Sequence, residues 1–220
     1  MVKMNQKTST LDRRLITSIM ILLGLILLKT VAATVGNLVD YFPPDFTSDF
    51  LAGRESYFYG PYQIAFSSHV VSGPVSLILG LLLVTKPIRT RWPTWHRRMG
   101  KLQVMIVILL VAPSGFWMAF HAVGGVISVT GFASLAVLTQ GTAFAGYMAA
   151  RTGNFRKHEV WMARCFLLLV SAVVLRLIAG IFIVVHIESD WIYPTSAWIS
   201  WLLPLSIYEL FFNKHRQMSR

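Results

Sequence analysis

Apolar residues run along this chain in long, nearly unbroken stretches, with polar and charged positions gathered between them rather than alternating with them. A stretch of ~20 such residues matches a ~30 Å hydrocarbon layer at ~1.5 Å per helical residue. Six spans are expected, near 15–36, 61–85, 102–122, 126–150, 160–185 and 193–212. The last five are bracketed by breakers or charge: Gly60-Pro61, Lys86-Pro87, Gly124-Gly125, Arg151 to Gly153, and Tyr193-Pro194. The fold class that follows is all-α, a polytopic membrane helical bundle of six transmembrane helices in one domain. Its main loop, 37–60, holds Tyr41-Phe42-Pro43-Pro44, Tyr57-Phe58-Tyr59 and four acids, a composition suited to an ordered interfacial cap. Leu15 to Leu28 follows Arg13-Arg14 and has the look of a signal-peptide core. Because Thr30 to Val39 continues weakly apolar and Lys29 can snorkel, a retained helix is the preferred reading.

Composition agrees. Of 220 residues only 13% are charged, against about 25% in soluble domains, and 55% are hydrophobic. Basic residues then set the orientation, since they resist translocation beside a span. Segments 1–14, 86–101, 151–159 and 213–220 hold sixteen of the twenty Lys and Arg; the intervening loops hold only Arg54. Both termini are therefore expected on the cytoplasmic side, with 37–60 extracytoplasmic. The net charge of +11 reads as this topology signal and as contact with anionic lipids at the cytoplasmic face, not as nucleic-acid binding. The one cysteine, Cys165, lies in an apolar span, so no disulfide framework is available. It reads as a small buried hydrophobe.

Polar groups inside the spans carry the candidate chemistry, because they are expensive in hydrocarbon. Arg176 lies about 15 Å deep in the fifth span, where a lone Arg costs about 2.5–3.5 kcal/mol. It must face the bundle and meet an acceptor: main-chain carbonyls, water, Gln140 or an anionic ligand. His69 lies at similar depth in the second span, inside the string Gln63, Ser67, Ser68, His69, Ser72. With Lys29 the two could line an anion pocket. Arg164 and Glu209 fall at one level near the cytoplasmic ends of adjacent antiparallel helices, and an ion pair is expected between them. His121 and His186 end spans outside; His96, His158 and His215 are cytoplasmic. His158, Cys165, Leu169 and Arg176 share one face of the fifth helix.

From His69 to Arg176 the chain resembles the bacterial predicted-membrane-protein family known as domain of unknown function 2306. The resemblance rests on His69, the block His96-Arg97-Arg98-Met99-Gly100-Lys101, Gly124-Gly125 with Gly131-Phe132, the block His158 to Arg164, and Arg176. It implies a multi-helix domain of the bacterial cytoplasmic (inner) membrane and marks His69, His96, His158, Arg164 and Arg176 as polar family positions. It supplies no reaction.

Three functions compete. Histidines grouped near each face resemble the arrangement of b561-type membrane cytochromes, with haem b between His96 and His158 inside and between His69 and His121 outside, Arg176 among the cofactor-binding residues, and transmembrane electron transfer as the activity. Against it, the inner histidines sit at the hydrocarbon edge and His69 lies deeper than His121. A small-solute or anion permease or binding protein would use Lys29, His69 and Arg176, with Pro74, Pro113 and Pro204 bending helices; small size and the lack of an inverted repeat would require a homodimer. A membrane-embedded enzyme acting on a lipid or quinone would use His69 as acid or base and Arg176 as electrostatic stabiliser. The sequence contains no Ser-His-Asp set, no His-Glu-x-x-His and no paired intramembrane carboxylates. An integral membrane protein with a His/Arg-lined intramembrane site is the common ground, and haem b is its first specific version.

Overall fold

A computed structural model describes residues 10–48 and 50–213. His215, the basic residues Lys3, Lys7, Lys214, Arg216 and Arg220 of the terminal segments, and Asp49, one of the four acids of 37–60, lie outside them. The described chain is an all-α bundle. α1 spans Thr10–Gly36 and passes through a 3-10 turn, Asn37–Asp40, into the cap, which carries the single-turn α2, Glu55–Phe58. α3 (Pro61–Val84), α4 (Lys86–Arg91) and α5 (Pro93–Ile106) follow; a π-helical turn, Val107–Val111, then joins α5 to α6 (Ala112–Ala119). α7 (Gly125–Arg151), α8 (Phe155–Val184) and α9 (Ile192–Ile207) complete the bundle, and α9 continues into a π-helical segment, Tyr208–Asn213.

The sequence explains where these helices begin. Gly60, at φ +93°, turns the chain into α3, whose first residue is Pro61, a position where the missing N–H costs nothing. Asn154 caps α8 by accepting the Lys157 N–H at 3.1 Å. Pro113 explains the π turn: it cannot donate to the preceding turn, and the helix widens just before it, with Ala112 N–H bonding back to Val107 O. Among the described residues, five stretches are long and apolar enough to cross a membrane: Ile21–Asp40, Pro61–Val84, the continuous run Pro93–Ala119, Gly125–Arg151 and Phe155–Val184. At 16 residues, α9 falls short of that length by itself.

Lipid is as apolar as the helix surfaces, so packing rests on close approach at small residues. A Cβ on Gly131 of α7 would lie 3.1 Å from the Ala197 carbonyl and 3.0 Å from Trp198 Nε1 of α9, and Trp198 donates to Ile127 O at 3.0 Å. A Cβ on Gly146 would lie 2.6 Å from Met162 Sδ of α8. Leu27, Val31, Leu77, Val107, Ala143 and Cys165 belong to the buried apolar centre, which joins α1, α3, α7 and α8 across the π turn. Above it the cap and the first turns of α3 build a second cluster from Tyr41, Leu51, Phe58, Tyr62 and Phe66, with Phe50 stacked 5.4 Å over Phe66. Asp45 ties the cap locally: its carboxylate accepts from Thr47 Oγ1 at 2.7 Å and Thr47 N at 2.9 Å, two bonds that hold it below the usual carboxylate range.

Candidate functional site

Between the cap and the apolar centre lies a cavity of about 260 Å³, bordered by α1, α3, α6, α7, α8, α9 and the cap itself. His69, His121, Arg54 and Arg176 all border it, and among the described residues no Asp or Glu does. Three tyrosines, Tyr41, Tyr62 and Tyr193, complete the polar part, while Leu77, Leu168 and Leu169 are among the apolar side chains deeper in the bundle.

α3 places His69, and the π turn and α6 hold it. Its Nδ1 lies 3.2 Å from Val111 O and 3.1 Å from Ser114 Oγ. A carbonyl can only accept, so Nδ1 carries the proton, and Nε2 is left to accept from an occupant of the cavity when the ring is neutral or to donate to one when it is protonated. Ser114 passes its own hydrogen to the Leu110 and Val111 carbonyls, which leaves its oxygen free to accept from the imidazole. The ring fits there because residue 115 is glycine: a Cβ would lie 3.0 Å from His69 Cε1.

His121 follows α6 and packs between two cap-side rings, stacked on Tyr57 at 5.0 Å and edge-on to Tyr62 at 4.8 Å. Its buried Nδ1 has no hydrogen-bond partner. Arg176 enters from α8. Among the described residues its guanidinium makes one hydrogen bond, from Nη1 to Ala172 O of its own helix at 3.1 Å. The residue is partly exposed, borders the cavity, and lies close enough to His69 and Tyr41 to interact with both. Arg54 enters from the cap, 4.5 Å over the Phe50 ring and beside Tyr62 and Tyr193, with its buried Nε unpartnered. Neither arginine is paired with a carboxylate among the described residues.

Several expectations need correction. Lys29 is exposed and does not border the cavity, so the basic side chain that joins His69 and Arg176 there is Arg54, not Lys29. Gln140 cannot serve Arg176: it is exposed on the outer face of α7, beside Ile108 and Phe144. His96 and His158 lie near one another but away from this cavity, so the single stripe drawn from His158 to Arg176 links two separate regions. His158 Nδ1 donates to Gly146 O at 2.9 Å, and His96 Nδ1 is buried without a partner. Arg164 meets Glu209 through two bonds, Nε–Oε1 at 2.6 Å and Nη2–Oε2 at 3.1 Å, and lies 4.5 Å over the Trp161 ring. Cys165 is buried. Arg54 had one sequence signal, as the sole basic residue of the outer segments, and it was read only for topology. The tyrosines had none beyond the aromatic composition of the cap.

The profile of the predicted membrane protein family, domain of unknown function 2306, matches residues 66–212. The chain belongs to that family. No curated protein and no solved structure matches it. The domain 2306 segment contains His69, His121 and Arg176 but begins after α1 and the cap, so Arg54 and Tyr41 reach the cavity from outside the matched region. The relationship establishes an integral membrane protein and assigns no reaction.

Proposed function

We propose that this protein binds an amphiphile with an anionic head, a carboxylate or a phosphate, whose apolar part lies along the inner wall of the cavity. The observation that carries the reading is the lining itself: two guanidinium and two imidazole groups, no carboxylate among the described residues, and a mainly apolar remainder. Cations gathered without a counter-ion repel one another and are costly in a low-dielectric site, and a bound anion removes that cost. The unpartnered Arg54 Nε and His121 Nδ1, with Ser200 Oγ deeper along the wall, are donors available to it. At about 260 Å³ the cavity falls just below the ~300–1,000 Å³ usual for small-molecule sites.

In this reading the bundle crosses the membrane six times. α9 and its π-helical continuation form the last crossing, both termini are cytoplasmic, and the cap with Arg54 lies outside. The basic residues Lys86, Arg89, Arg91, Arg97, Arg98 and Lys101 then meet anionic headgroups of the inner leaflet of a bacterial cytoplasmic membrane. Dodecanoate and dodecyl phosphate should raise the melting temperature of the detergent-purified protein. Dodecyltrimethylammonium, of the same tail and opposite charge, should not. Stabilisation by inorganic phosphate alone would assign the site to a free anion, and equal effects of both amphiphiles would remove charge selectivity altogether.

Haem b on His69 and His121 is the second reading, favoured by the presence of both imidazoles on one cavity and by the free Nε2 of His69. Reduced-minus-oxidised absorption of protein from haem-replete cells decides it. A Soret and α band lost in His69→Ala supports haem, and a colourless folded preparation excludes it.

A further inference from the structure

Gln140 is the one amide side chain on the outer surface of α7, and nothing within the described chain satisfies it. It sits roughly 22 Å along α7 from Gly125 and roughly 17 Å from Arg151 at ~1.5 Å per residue, near mid-membrane. The residue is exposed, and no hydrogen bond reaches its side chain. Its surroundings are apolar: Ile108 on the π turn, Val137 and Phe144 on α7, and Gly141 beside it. Gly141 is exposed too, and a Cβ placed there would meet nothing within 4 Å, so the packing of this chain gives no reason for glycine at that position. An amide facing acyl chains leaves donors and an acceptor unpaired where no water can replace a partner.

From these features we infer that the α7 face around Gln140 is the interface of a homodimer. A primary amide both donates and accepts, so two copies related by a twofold axis satisfy each other through the same residue, as an isologous contact requires. Gly141 then lets the two α7 helices approach closely enough for the amides to meet. Anionic partners gain nothing from this face, since it carries no cation, and the acyl chains of lipids cannot answer an amide. A second copy of the chain answers it with the same amide, donor to acceptor and acceptor to donor.

Cysteine cross-linking in native membranes tests the interface. Cys165 is first replaced by Ala, and the chain is co-expressed in two tagged forms. Gln140→Cys should oxidise to a product of twice the mass carrying both tags. Ile181→Cys, on an exposed part of α8, should not. In liposomes Gln140→Leu should weaken self-association at least tenfold, while its helical circular dichroism and melting temperature stay at the wild-type values. Three results would overturn the interface: no product from Gln140→Cys, equal product from Ile181→Cys, or cross-linked product of which none carries both tags.

Discussion

Two arginines from distant parts of the chain meet at one cavity, and they differ in what holds them. Arg176 is anchored only to a carbonyl of its own helix, whereas Arg54 lies on the Phe50 ring and beside two phenols. Removing the Arg176 charge therefore leaves the surrounding packing largely intact, and Arg176→Gln should lower affinity for dodecanoate by about 10- to 100-fold, the equivalent of one charge-assisted hydrogen bond of ~1.5–3 kcal/mol. His69 depends on a single neighbour for room. In Gly115→Val the added side chain would start from a Cβ only 3.0 Å from the ring, so His69 has to leave its Val111 and Ser114 partners. Binding by Gly115→Val should fall as far as in His69→Ala, although residue 115 offers the ligand no polar group; titration calorimetry on both variants checks this.

Among the helices, α7 and α8 carry the contacts most easily damaged. Gly131→Leu forces a branched side chain against the Ala197 carbonyl and the Trp198 indole, and should cost about 1–3 kcal/mol, read as a lowered melting temperature in detergent. The Arg164–Glu209 pair ties α8 to the chain beyond α9. Glu209→Gln strands a partly buried guanidinium and should destabilise by about 1–3 kcal/mol. The apolar double variant Arg164→Met, Glu209→Leu should be closer to wild type than Glu209→Gln is, because replacing both partners of a desolvated pair leaves neither charge of that pair uncompensated. Thermal unfolding of the single and double variants measures the difference. The α5–π–α6 run shows why a proline at 113 did not end its helix: the π turn accommodates the missing donor and places the Val111 carbonyl against His69.

At the scale of the molecule, hydropathy and charge made the all-α membrane bundle legible, because span length and Lys/Arg placement are properties of the chain alone. The level of Arg164 with Glu209 was legible for the same reason: it follows from helical rise. The cavity was only half legible. Depth identified His69 and Arg176, but which way a side chain points depends on helix rotation, which rise does not contain; Lys29 and Gln140 were misplaced on that ground. Arg54 was missed because the cap folds back over the bundle, a tertiary event with no periodic signature. Orientation is open to direct measurement: with Cys165→Ala as background, Ser56→Cys should react with a membrane-impermeant maleimide in intact cells and Thr152→Cys only after permeabilisation. The most direct test of an anion-binding cavity is equilibrium binding of dodecanoate to the purified protein and to Arg54→Gln, Arg176→Gln and the cytoplasmic control Arg98→Gln. Both cavity variants should bind at least about tenfold more weakly while Arg98→Gln binds as wild type does. Equal affinity in all four proteins, or no saturable binding to the wild type, would contradict it.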